Sequence, residues 1–153
     1  MTIHTRILAY VETVPPEAVR EFIVPGTPDV LTRPRIVRRG AHSGLSDHPN
    51  KPKKSGILAM YRAQNPGRQP IQGPAALTVE AVWSAPRAPD RGTLKSDGAD
   101  IDNVIKLYSD ALNGWAWTDD SQVAAVCGAK RYTTKGERPH VRVRIVSLAG
   151  FEP

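Results

Sequence analysis

Asp100-Ile101-Asp102-Asn103-Val104-Ile105-Lys106-Leu107-Tyr108-Ser109-Asp110-Ala111-Leu112-Asn113-Gly114, continued by Trp115-Ala116-Trp117-Thr118-Asp119-Asp120-Ser121-Gln122-Val123, is the stretch on which the fold turns. Val104, Ile105, Tyr108, Ala111 and Leu112 recur at helical spacing and predict a helix over Asn103–Leu112, stopped by Asn113-Gly114. A short loop then leads into Val123–Tyr132, which alternates like a strand. His140–Leu148 alternates too, and with Thr133–Pro139 between them the two runs read as a hairpin. Working outward, Ala75–Trp83 is a strand (Leu77, Val79, Ala81, Trp83) and Lys53–Gln64 a helix with Ile57, Met60 and Tyr61 at helical spacing. Val19–Val24 reads as a short strand stopped by Pro25-Gly26, and Arg33–Val37 as a second one. Ala41–Pro52 and Pro86–Gly98 read as loops, and Met1–Pro16 as an N-terminal extension. The expectation is an α+β fold: residues 1–19 as the extension and 20–150 as one small domain, a mixed sheet of about four to five strands covered by two helices.

The 153 residues, 40% of them hydrophobic, suffice for one core without disulfides or metals. A single cysteine, Cys127, excludes an internal disulfide, and its alternating surroundings predict a small buried hydrophobe. No apolar run approaches a membrane span, and Met1–Ala9 is too short and polar for a signal peptide, so a cytoplasmic protein is expected. The net charge is +6, unevenly spread. Arg33, Arg35, Arg38, Arg39, Lys51, Lys53 and Lys54 face one acid, Asp47, while the rest of the chain balances. Between Asp97 and Asp120, six aspartates face only Lys106. A basic arm and an acidic knot suggest a polyanion held at one place and a cation at another; a solvated loop and a solvated helix face are the alternative.

Asp102 and Lys106 are four residues apart and share the helix's outer face, with Asp110 one turn on. The loop after Gly114 returns Asp119-Asp120 toward that helix. Carboxylates crowded together repel, and a hard divalent cation such as Mg²⁺ would relieve this while holding phosphate oxygens. In phosphodiester hydrolysis such a metal holds the attacking water, and a neighbouring lysine stabilises the charge developing on phosphate. Helix capping by Asp100 and Asp102, and a turn at Asp119-Asp120, explain the same spacing. The residues alone leave both readings open. His4, His42, His48 and His140 lack zinc-like spacing, and there is no Gly-rich phosphate loop. Trp115 and Trp117 flank the loop, either packing in the core or stacking on an unpaired base.

The order Asp-x-Asp-Asn-x-x-Lys-x-x-x-Asp-Ala-Leu-Asn-Gly, then Asp-Asp-x-Gln-Val and a strand containing Lys130, resembles the RusA family of Holliday junction resolvases. Ile23-Val24-Pro25-Gly26, Arg33-Pro34-Arg35 and Arg38-Arg39-Gly40 are similar to that family's first strand and basic loop. The likeness runs from about Arg20 to Val146. It implies a RusA-like fold and a crossover junction endodeoxyribonuclease of phage or prophage type, active in DNA recombination and repair in the cytoplasm of a bacterium or a phage-infected host. Asp100, Asp102 and Asp120 would be catalytic metal ligands and Lys106 the active-site lysine. Mg²⁺ would be the cofactor, with Mn²⁺ as a substitute and no nucleotide cofactor. The partners implied are branched DNA and a second copy in a homodimer. Arg33, Arg35, Arg38, Arg39, Lys53 and Lys54 would meet phosphates, positioning DNA without reading its sequence. The rival readings are a nuclease for forks or flaps and a non-catalytic junction-binding dimer. The second is disfavoured because carboxylates facing a phosphate repel it.

Overall fold

The computed structural model describes residues 1–33, 35–46, 49–85 and 92–153. Ala75–Trp83 forms a strand whose alternate residues Leu77, Val79 and Ala81 are buried on one face and Ala76 and Val82 on the other. A strand buried on both faces belongs inside a sheet. Number the elements in chain order: α1 (Ile3–Thr13), β1 (Arg20–Pro25), β2 (Arg35–Arg39), β3 (His42–Ser46), α2 (Asn50–Gln64), β4 (Ala75–Trp83), α3 (Ile101–Leu112), β5 (Val123–Tyr132) and β6 (His140–Ser147). The main sheet then has the order β1-β6-β4-β5. β6 is antiparallel to β1 and β4, and β5 is parallel to β4, so the sheet is mixed and the fold α+β, as expected.

α2 and α3 cover one face. α3 turns Val104, Leu107, Tyr108, Ala111 and Leu112 inward, against Phe22, Leu77, Val79, Val143 and Ile145 of the sheet and Ile57 and Tyr61 of α2. Each such fully buried side chain is worth about 1.5–3 kcal/mol. The Phe22 ring meets Tyr61 edge-on at 5.5 Å. α3 also crosses close over β5, where a Cβ on Gly128 would lie 2.5 Å from the Ile105 Cδ1.

Three sequence expectations are corrected, and the N-terminal extension gains an element. The predicted β5–β6 hairpin does not form: β4, buried on both faces, lies between them, and Thr133–Pro139 arches over its end. Arg131 makes a bidentate pair with Glu137 (2.7 and 2.8 Å) that braces this arch, and Thr134 donates its backbone N–H to the same carboxylate. Ala41–Pro52 is not all loop. His42–Ser46 pairs with β2 in a separate two-stranded sheet, closed by Gly40 at φ +63°, the left-handed residue such a tight turn needs. The N-terminal extension contains α1, a third helix, which packs Val11 against Val19, Ala76, Val146 and Leu148 on the second face. Cys127 is exposed, because β5 is the sheet's edge strand. Of the loop 86–98, residues 86–91 lie outside the described residues, as does His48. The residues that are described include no helix long and apolar enough to cross a membrane.

Candidate active site

α3 begins at Asp100, whose extended backbone (φ −73°, ψ 134°) makes it the N-cap residue, yet its carboxylate makes no capping bond. That exposed side chain is therefore not engaged in ending the helix. The segment before it is tied down from β5. Lys95 N–H donates to the Lys130 carbonyl and Tyr132 N–H to the Thr93 carbonyl. The Lys130 ammonium donates to the carbonyls of Ala99 (2.8 Å) and Asp97 (3.1 Å). Asp97 accepts from the Lys95 ammonium (2.7 Å) and the Tyr132 hydroxyl (3.0 Å), and the first of these bonds holds its carboxyl below the usual range. Lys130 and Lys95 thus fix where Asp100 enters the helix. Spacing does not announce this role; in the sequence Lys130 stands out only as part of the strand that carries the family resemblance.

Asp102 lies in the first turn of α3, exposed, one turn before Lys106. The Lys106 ammonium sits 2.8 Å from Asp110 and 3.7 Å from Asp120. Its hydrogen bond to Asp110 raises its pKa above the ordinary lysine value, so it stays cationic. Asp119 and Asp120 separate by role. Asp119 caps the short 3₁₀ turn Asp120–Gln122 in a capping box with Gln122, and its bond from Ser121 N–H lowers its pKa. Gln122 also donates to the carbonyls of Ile71 and Gly73, pinning the loop to the segment ahead of β4. Asp120 is left to face α3.

The structure brings Asp120, Lys106 and Asp110 together and places Asp102 and Asp100 along the same helix toward its start. Among the described residues, no three His, Cys, Asp or Glu side chains form a ready-made metal cage. The donors still suit a hard cation in kind. Mg²⁺ uses one or two carboxylates and completes its shell with water and substrate phosphate, so an open spread of aspartates is compatible with it.

The basic residues divide. Lys54 reaches within 3.8 Å of Asp110 and so joins the acidic face, a contact between α2 and α3 that spacing does not announce. The Lys53 ammonium donates to the Val30 carbonyl (2.8 Å) and the Thr32 hydroxyl (3.1 Å), 3.8 Å from Asp29. Buried Asn50 clamps the same loop through both backbone groups of Thr32. Arg33 and Arg38 are exposed; Arg35 and Arg39 are described only by their place in β2. Trp117 is fully buried, whereas Trp115 is 44% exposed.

Two comparisons bear on this geometry. The model of a family described as "Endodeoxyribonuclease RusA" matches residues 25–146, from the end of β1 into β6. Among curated proteins, YqaN of Bacillus subtilis (strain 168) is 28% identical over 136 residues, covering 82% of this chain and 94% of that protein.

Proposed function

Since this chain belongs to the RusA endodeoxyribonuclease family, we propose that it is an Mg²⁺-dependent, structure-selective endonuclease that resolves Holliday junctions by paired nicks during DNA recombination in the cytoplasm. The observation that carries the reading is the Lys106 ammonium held between Asp110 and Asp120 on the face of α3 that Asp102 begins. A cation fixed beside carboxylates that are not engaged in capping is the arrangement phosphoryl chemistry requires: positive charge for the phosphate, oxygen donors for a metal.

Asp100, Asp102 and Asp120 would hold the metal. A divalent cation held by them would supply Lewis acidity for activating a water and positive charge for the leaving oxygen. The chain's own side chains do the remaining work. Lys106, kept protonated by Asp110, stabilises the phosphate's growing negative charge, and Asp110 aims it. Lys54, on the other side of Asp110, adds positive charge along the strand's path. Arg33, Arg38 and the rest of the β2–β3 hairpin hold the phosphates of an adjacent arm.

Two opposed nicks require two active sites, which a twofold homodimer supplies in the symmetry of the junction. β5 supports this. Among the described residues it is an edge strand, with segment 93–95 along its last residues, and exposed Val126 adjoins Leu8 of α1 across an apolar cleft with Cys127. An open edge of this kind offers unpaired backbone groups that can pair with another chain.

A synthetic four-way junction, a fork and a flap, each incubated with protein with and without Mg²⁺, test the reading. Symmetrically paired nicks confined to the junction and dependent on the metal are expected. Faster cutting of forks or flaps would move the substrate elsewhere in the branched class, and junction binding without cutting in Mg²⁺ or Mn²⁺ would defeat the enzymatic reading.

A further inference from the structure

At the far end of α3, beyond the acidic face, a groove of about 590 Å³ opens between the end of α2, the Pro66-Gly67-Arg68 loop and Trp115. Two features of this groove stand out. The Trp115 ring is 44% exposed, with the Arg62 guanidinium 4.6 Å above its centroid. Arg62 and Arg68 line the groove with no acid among the lining residues, and Arg20 approaches from beneath, bonded to the Tyr61 hydroxyl and the Ala116 carbonyl. None of these three arginines pairs with a carboxylate among the described residues. On the sheet's charged face, by contrast, Arg131, Arg142 and Arg144 each pair with glutamates. Guanidinium groups without a carboxylate partner, Arg62 over one face of the ring and Arg68 donating to the Glu17 carbonyl, attract a polyanion that carries flat rings of its own.

We propose that this groove binds an unpaired stretch of DNA, with a base stacked on Trp115 and phosphates on Arg62 and Arg68. The assignment rests on the branched-DNA reading above and extends it to a second contact on the same strand system. The distance suits it. Trp115 and Asp120 are the ends of one six-residue stretch, five peptide steps, so they lie no more than about 18 Å apart, roughly five base-pair steps. That loop is held by Gln122 and by buried Trp117, so the platform is rigid relative to the acidic face. A duplex keeps its bases stacked internally and offers Trp115 nothing, whereas a branch point exposes them. The groove therefore favours branched or single-stranded over fully paired DNA.

The test titrates the full-length protein, in EDTA so that nothing is cut, with a short single-stranded oligodeoxynucleotide and with a blunt duplex. Tryptophan emission and the anisotropy of labelled DNA are read together. Single-stranded DNA should quench the wild-type emission. Trp115→Phe, which keeps a ring but leaves only Trp83 and Trp117 to emit, should bind with little quenching. Trp115→Ala should weaken single-strand binding about tenfold, Arg62→Ala should weaken it and flatten its salt dependence, and duplex affinity should move little in either. Quenching that persists in Trp115→Phe, unchanged single-strand affinity in Trp115→Ala, or no single-strand binding at all would each overturn the assignment. The outcomes separate from those of the nuclease reading. Junction nicking with a Trp115 that does not matter sinks only the groove; Trp115-dependent binding without nicking of any branched DNA sinks only the nuclease.

Discussion

At Lys106 two acids converge, 2.8 Å and 3.7 Å from one ammonium group that is more than half exposed. The hydrogen bond it donates to Asp110 raises its pKa, so its contribution to stability is present below the ordinary lysine value near 10.5 and disappears only as pH climbs past the higher folded value. Removing a group that stabilises developing charge typically costs 10²–10³ in rate. Lys106→Ala should accordingly slow single-turnover nicking by about that factor and change junction affinity only a few-fold. Because the lysine stays protonated, no fall in rate between pH 7 and 10 should come from it. A descending limb in that window that Lys106→Arg shifted upward would contradict the assignment. On the proposed metal-binding role, Asp102→Asn and Asp120→Asn should abolish cutting while leaving binding equal or tighter, since each would remove a metal donor and a charge that repels phosphate. Loss of folding, seen as lost helical circular dichroism, would instead assign them to structure.

Between elements, the positions that matter are where α3 sits on β5 and how the β5–β6 arch is held. A Cβ on Gly128 would lie 2.5 Å from Ile105 Cδ1 and 3.1 Å from Ile101 Cγ1. Gly128→Val should lower unfolding free energy by about 1–3 kcal/mol in urea titration, the usual cost of overpacking, and slow nicking further by displacing the helix that carries Asp102 and Lys106. An unchanged midpoint would mean that α3 is not seated so closely. The arch depends on Glu137, whose pKa is lowered to about 2 by the Arg131 bond. A carboxylate with a depressed folded pKa stabilises above its unfolded value, near 4.5, and loses that contribution as pH falls toward 2. Thermal unfolding followed from pH 6 to pH 2 should therefore steepen below about pH 4.5. Glu137→Gln should flatten that dependence and lower stability at pH 7 by about 1–2 kcal/mol. Identical pH profiles for the two proteins would place the acid sensitivity in other carboxylates.

For the molecule as a whole, the proposed homodimer sets the next expectation. The outer edge of β5 and the apolar cleft beside it, with Val126 44% exposed, are the surface proposed for the dimer. Light scattering at micromolar concentration should give about twice the 16.7 kDa chain mass. Val126→Asp, which sets a charge on that edge, should yield monomers that nick single strands but lose paired incision. A dimer that survives this change with paired nicks intact would place the interface on another face. The net charge of +6 accords with a polyanionic ligand, but its placement matters more than its size. Basic residues ring both the hairpin and the Trp115 groove, while the acids gather along α3.

What the sequence by itself determined is whatever a single segment can encode. The 3.6-residue rhythm of Val104–Leu112 and the two-residue rhythm of Ala75–Trp83 specified α3 and β4 nearly to the residue. The order of acids and lysine within one local block carried the family. Periodicity reports that a face is buried, not against which neighbour. Strand order was therefore decided only in three dimensions: β4, apolar on both faces, took the place between β5 and β6 that chain proximity had reserved for a hairpin. The polar β3 hid its pairing because His-Ser-Gly-Leu-Ser has no alternation to read. Cys127 alternates like a buried residue but lies on an edge strand. The approach of Lys54 to Asp110, the grip of Lys130 on the peptide ahead of Asp100, and the separation of Asp119 from Asp120 all join residues distant in sequence or differing only in orientation. Such contacts arise from packing one element on another, and no local pattern of side chains records them.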